Sequence, residues 1–202
     1  METTSAMVQV PNGDLSLDAY LAQPTGEGPF PGAVVIQEIF GVNAHIRHVT
    51  QRLASAGYVA IAPAIYQRQS PGFEAGYSEA DLAQGRTYKN QTQAAELIGD
   101  IQAAIAYLYQ LPQVKQSGVG CMGFCFGGHV AYLVAPLPEI KATACFYGAG
   151  ITNSTPGGGE PTLACTPQIQ GTLYGFFGLQ DPLDPMSQVD QIEASLAAAF
   201  RS

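Results

Sequence analysis

The stretch "GFCFGG", residues 123–128, sets a cysteine among glycines where an apolar run gives way to a helix-like segment. Gly123-x-Cys125-x-Gly127 has the form of a nucleophile elbow, in which small neighbours let a strand bend sharply into a helix and expose the side chain at the bend. Gly128 adds a further small residue, so the helix that follows can pack closely. A helix start beneath a thiol presents unpaired N–H groups and partial positive charge, which lower the thiol pKa and stabilise an oxyanion. The chemistry that this pattern points to is attack by the Cys125 thiolate on a carbonyl carbon. The competing reading, a small buried hydrophobe, is the usual fate of a free cysteine. It is the reading for Cys121, Cys145 and Cys165, which lack the glycine setting.

A chain of 202 residues is near the size of one large domain, and no linker or repeat divides it, so a single domain over 1–202 is expected. With 16 acidic against 8 basic residues the formal charge is −8, and no Lys/Arg cluster occurs. Nucleic acid and anionic membranes would be repelled, leaving small molecules as the expected partners. The N-terminus has neither the charged start nor the apolar core of a signal peptide, and no run approaches the roughly 20 apolar residues of a membrane helix. A cytoplasmic protein is expected. The four cysteines show no zinc-ligand spacing, so neither a metal nor another cofactor is expected.

The elements that must hold the elbow can be read in order. "MVQV" and "LSLDAYLAQP" alternate in polarity around Asn12-Gly13, a strong hairpin signal. Residues 31–41, "PGAVVIQEIFG", and the later "YVAIAP" are near-continuous apolar runs that suit strands buried on both faces. Residues 44–56 carry Ile46, Val49 and Leu53 at helical spacing before Gly57. Residues 66–91 are polar and rich in Gly, Gln and Tyr, and read as an insertion or binding loop. A helix returns through Leu97, Ile101, Ala104, Ile105 and Leu108 and stops near Pro112. Strand "SGVGCMGF", helix "GGHVAYLVA", strand "IKATACFYGAG", a Gly/Pro-rich loop over 152–168, strand "GTLYGFFG" and helix "MSQVDQIEASLAAAF" complete the chain. This alternation predicts an α/β fold with a mostly parallel, doubly wound sheet entered through an antiparallel hairpin.

Taken together, "GFCFGG", "QEIFGVN" and "GLQDP" resemble the dienelactone hydrolase (carboxymethylenebutenolidase) family of the α/β-hydrolase fold, over roughly residues 8–198. The resemblance implies hydrolysis of a small ester or lactone through a thioester. It assigns the nucleophile to Cys125, the triad acid to Asp181, and activation of the resting thiol to Glu38. It places the oxyanion hole at the backbone N–H groups of Ile39 and Phe126, and a grip on the substrate carboxylate at Arg86. Each has a competing reading. Asp181 before Pro182 could begin a turn, with Asp184 as a rival acid; Glu38 could be a structural ion pair; Arg86 could be simply solvated.

The family also implies a histidine after the triad acid, and none follows Asp181; the histidines are His45, His48 and His129. The first two read as packing or surface residues, and His129 lies on the helix behind the elbow, facing away from the thiol. The final strand, the histidine loop and the closing helix implied by the family are expected to be missing, which reads as a shortened chain. The family's monomer would then give way to marginal stability or to a dimer through an open sheet edge. Two rivals stand beside a hydrolase: a non-catalytic α/β domain that binds a small acid, and a redox pair of Cys125 with Cys121.

Overall fold

The chain begins with two long strands, β1 (Thr3–Asn12) and β2 (Leu15–Pro24), paired antiparallel so that Asn12 faces Leu15 across the two-residue loop Gly13–Asp14. Gly13 takes φ of 60° there, the left-handed conformation that such a tight hairpin demands. The hairpin is as expected, but β1 starts four residues before the alternating "MVQV", because its outer face is solvent-exposed and carries no apolar signal. The computed structural model, which describes residues 1–200, then adds β3 (Phe30–Ile36), β4 (Val59–Pro63), β5 (Val114–Phe124), β6 (Ile140–Phe146) and β7 (Thr172–Phe176). Their order across the sheet is β1-β2-β4-β3-β5-β6-β7. From β4 to β7 all neighbours run parallel, while β2 meets β4 antiparallel. This is the mixed, doubly wound α/β sheet that the alternation of elements predicts.

Helices cover both faces. On one side lies α1 (Ala44–Ser55), opened by Asn43, whose side chain accepts the Ile46 N–H. On the other lie α3 (Ala94–Gln110) and α4 (Phe126–Val134), the latter buried along its whole length. The five apolar positions read from the sequence on α3 are all buried against the sheet. The final helix, α5 (Met186–Ala199), packs Ile192 against a small cluster with Tyr132 and Cys145. Among the described residues no helix is long and apolar enough to cross a membrane.

The polar segment 66–91 departs from expectation: it contains a helix, α2 (Glu79–Lys89), rather than only a loop. Ser78 and Asp81 form a reciprocal capping box at its start, which satisfies two N–H groups that a short polar helix could not otherwise cover. Its only buried residue is Gly85, so the apolar periodicity that reveals most helices is absent.

Two features tie the layers together. Asp100 on α3 is fully buried and accepts hydrogen bonds from Arg68 at 2.6 Å and Asn12 at 2.8 Å, joining the hairpin tip to the segment after β4. Removing one partner of a buried pair leaves an uncompensated charge and costs about 3–5 kcal/mol. With Asn12 still donating, Arg68→Met is expected to fall at the lower end of that range, and a urea titration showing no shift in midpoint would refute this. The second feature is a column of aromatic rings at the carboxyl ends of three strands. Phe124, Phe146 and Phe176 stand in register on β5, β6 and β7, stacked at centroid separations of 5.0 and 4.5 Å. β7 closes this side of the sheet with Tyr174 and Phe176 exposed.

Candidate active site

β5 runs up the middle of the sheet and delivers Cys125 at its carboxyl end, where doubly wound sheets gather their ligands. The cysteine has φ 54° and ψ −119°, a conformation that costs a non-glycine residue about 1–3 kcal/mol and persists only where its surroundings enforce it. They do so through the glycines. A Cβ at Gly123 would fall on the carbonyl of Gly127, and one at Gly127 would fall on the carbonyls of Ile36 and Gln37. Gly128 is pressed in the same way against the Phe146 carbonyl. The Cys125 N–H bonds the Phe146 carbonyl at 3.0 Å, which pins the elbow to β6.

The thiol lines a cavity of about 160 Å³ with Ile39, Leu82, Arg86, Lys89, Phe126, Ala149 and Leu183. Burial pushes the Cys125 pKa up, and the charges of Glu38 and Asp184 add to that rise. A hydrogen bond from the Phe126 N–H and the charge of Lys89 pull the other way without reversing it. At rest the group is therefore a thiol. The Phe126 N–H already faces the sulfur, and the Ile39 N–H makes no bond to another main-chain group among the described residues.

The sequence-derived candidates are brought together unevenly. Cys125, Ile39, Phe126 and Arg86 share one cavity wall. Glu38 stands just outside it, half-buried; burial raises its pKa, while His45 and a long hydrogen bond from the Tyr77 hydroxyl at 3.5 Å lower it. Asp181 is also half-buried, and its Oδ1 accepts the Leu183 N–H at 2.9 Å, the turn geometry expected of an Asp before proline. Asp184 is the buried member of that loop, 3% exposed, and burial with the nearby Asp181 charge pushes its pKa up to about 6.

His129 is committed elsewhere. Its Nδ1 contacts the Ala149 carbonyl at 2.9 Å and its Nε2 the Thr162 hydroxyl at 2.7 Å. Because a carbonyl only accepts, Nδ1 carries the proton and Nε2 accepts from Thr162. Burial lowers its pKa to about 4, so the ring is neutral and both nitrogens are occupied. Cys121 and Cys145 are buried, with thiols pushed up to about 12, which argues against Cys121 as a redox partner.

Lys89 and Leu82 carry no signal in the sequence. With Arg86 they lie at i, i+4 and i+7 along α2, one helical face directed at the cysteine. Lys89 holds its ammonium 5.8 Å from the Phe126 ring centroid. The same helix reaches the loop after β3, because a Cβ on Gly85 would collide with the Ile39 carbonyl. Gly85→Ala would ordinarily favour a helix by about 1 kcal/mol. Here it should push α2 off the Ile39 peptide and slow acylation about 10-fold or more, since one misplaced oxyanion donor costs at least that much. Stopped-flow ester cleavage at an unchanged wild-type rate would count against this.

A nucleophile elbow on the central strand of such a sheet defines an α/β-hydrolase fold. The dienelactone hydrolase family profile matches residues 17–201. A Synechocystis protein named "Putative carboxymethylenebutenolidase" is 54% identical over 97% of this chain and 80% of its own length. The carboxymethylenebutenolidase of Pseudomonas putida is 33% identical over 79% of this chain and 64% of its own. Among solved structures, a Klebsiella pneumoniae protein described as a "Putative Dienelactone Hydrolase" superposes with a TM-score of 0.87 at 27% identity, covering 98% of this chain and 82% of that one. The chain belongs to the dienelactone hydrolase family, and with it to the hydrolases that act on esters and lactones.

Proposed function

We propose that this chain cleaves a small ester or lactone through a Cys125 thioester. The observation that carries the reading is the strained elbow of Cys125, opening onto a cavity that Ile39 and Phe126 also line, with the Phe126 N–H bonded to the sulfur. Glu38 takes the thiol proton as substrate enters, and the thiolate adds to the substrate carbonyl. The new oxyanion lies against the Ile39 and Phe126 N–H groups; the intermediate collapses to a thioester and an alkoxide, which takes up the proton. In a lactone the alkoxide stays attached and the ring opens. Arg86, and Lys89 beside it, suit a substrate carboxylate at the cavity rim, and Asp181 takes the part of the triad acid.

Hydrolysis of the thioester needs a base to activate water. With His129 neutral and doubly bonded, the 202-residue chain is expected to release about one equivalent of 4-nitrophenol from 4-nitrophenyl acetate and then slow sharply. Intact mass should show one acetyl group, mapped to Cys125 by peptide digestion. Sustained turnover without an adduct on Cys125 would refute the reading; tight binding of a small acid with no adduct would favour a non-catalytic binding domain.

The resting thiol also sets a pH dependence. A free thiol has a pKa of about 8.5, and burial lifts that of Cys125 above its ordinary value. Alkylation by iodoacetamide without substrate should therefore keep rising beyond about pH 9. A plateau at or below about pH 8 would show a thiol activated at rest.

A further inference from the structure

A second, larger cavity lies beside the one that holds Cys125. It encloses about 460 Å³ between the end of α2, the start of α3, one turn of α4 and the loop over 154–158. Lys89 and Phe126 line both cavities, and the Lys89 ammonium lies 5.8 Å from the Phe126 ring centroid. These two side chains therefore form the wall between the two spaces. Phe126 follows Cys125 directly, and His129, which also lines the larger cavity, sits about 4.5 Å further along the helix axis. A molecule whose carbonyl lies at the sulfur has only a few bonds to run before it passes Lys89 into the second space.

The lining of that space is one-sided. It holds a cation, Lys89, and no carboxylate. Asn90, Gln93 and Ser154 add amide and hydroxyl donors. Gly157 brings main chain to the wall, and its N–H bonds no other main-chain group among the described residues. A Cβ there would fall on the Gln93 carboxamide, so that amide packs directly on the glycine. His129 presents a neutral ring with both nitrogens already bonded and supplies no charge. Lys89 is half-buried and makes no ion pair among the described residues, whereas Arg47 and Arg68 each hold carboxylates. In a chain of formal charge −8, a cation kept free of internal carboxylates at a cavity wall is available to one from outside. Its charge is felt by both Cys125 and His129, as befits a group on the dividing wall.

We propose that the larger cavity is a subsite for a second carboxylate on the substrate, remote from the reacting carbonyl, and that Lys89 is the residue that selects it. The proposal rests on Cys125 being the point of attack. Arg86 lines the smaller cavity alone and serves an acidic group close to the carbonyl. Lys89, three residues on along the same helical face, serves one further out. A single lysine among neutral donors matches a single negative charge, which a carboxylate supplies through charge-assisted hydrogen bonds. The substrate class is thereby narrowed to esters and lactones of elongated diacids.

The test uses two thiol-directed reagents of the same shape, N-bromoacetyl-L-glutamate and N-bromoacetyl-L-glutamine. Both carry the near carboxylate, and they differ only in the charge of the distal group. The Cys125 thiolate displaces bromide, and the adduct is counted by intact mass and mapped to Cys125 by peptide digestion. The ratio of the two rates cancels any change in thiol ionisation. Wild type should react with the glutamate reagent about 10-fold faster or more, the worth of a hydrogen bond to a charged group, and added salt should shrink that preference. Lys89→Gln should abolish it, and Ser154→Leu, which intrudes only on the larger cavity, should reduce it. Arg86→Gln should slow both reagents while keeping their ratio within about threefold of wild type. A wild-type ratio of one or less, as repulsion by an acidic chain alone would give, overturns the proposal. So does a preference that survives Lys89→Gln or Ser154→Leu, or one lost in Arg86→Gln. Failure of both reagents to label Cys125 while iodoacetamide does so would show that no path joins the thiol to the second cavity, with the same consequence. The hydrolase reading stands or falls separately, on the acetyl adduct from 4-nitrophenyl acetate: a glutamate preference without that adduct would leave the subsite in place and remove the reaction.

Discussion

Cys125→Ala is expected to remove the ester-cleaving activity of this chain entirely, burst included, while raising its stability. The loss follows because no other thiol is placed to substitute: Cys121 and Cys145 are buried with pKa values pushed up to about 12, and Cys165 packs with the cluster under α5 with its own pushed up to about 11. The alanine variant should show no acetyl adduct, and a rate reduced to that of buffer. The gain in stability is the less obvious half. A side chain at φ 54° is strained whatever its identity, so alanine relieves only the cost of burying the polar sulfur, whereas Cys125→Gly relieves the backbone strain as well. Glycine at 125 should raise the unfolding free energy by about 1–2 kcal/mol over wild type, read as a shift in urea midpoint at constant slope. A glycine variant less stable than wild type would show that the elbow is unstrained and that the argument from backbone geometry fails.

Gly127→Ala should be among the most damaging single methyl groups in the molecule. A Cβ at this position points at the carbonyls of Ile36 and Gln37, the last residue of β3 and the first of the loop that follows it. Neither can retreat easily, since β3 is buried between β4 and β5 in the middle of the sheet. The helix must lift instead, moving the Phe126 N–H away from the loop after β3. Overpacking in a rigid core costs about 1–3 kcal/mol or more, and here the displaced atoms are backbone, so about 3 kcal/mol is expected, with acylation slowed at least about 100-fold as donor geometry is lost. The measurement is paired: a melting curve and a single-turnover burst on the same preparation. Retention of both would mean that the elbow closes without the contact described.

The elbow is legible in the sequence because its physics is local. Glycines spaced this closely at a strand-to-helix junction allow backbone to lie against backbone, and Gly123, Gly127 and Gly128 each do so in the structure. The buried strands and α3 are legible for the ordinary reason that apolar periodicity reports burial. Helix α2 is not, since it buries only a glycine and its polar residues read as loop. With α2 hidden, so is the geometry of Arg86, whose side chain reaches the cavity because a helix carries it there beside Leu82 and Lys89. Asp184 is visible beside Asp181, but that Asp184 is the buried member of the loop is a result of packing, which spacing does not report. Helical phase alone turns His129 away from the thiol; its bonds to Ala149 and Thr162 add the reason it stays neutral.

The stack of Phe124, Phe146 and Phe176 links the edge strand to the residue that precedes Cys125. The chain contains no tryptophan, so an indole introduced at position 176 would be a lone fluorophore resting on that column. Its emission would report, from two strands away, any shift of the elbow as Cys125 gains and loses its acyl group. A protein otherwise dark above the tyrosine band thus carries a built-in place to watch its own chemistry by light.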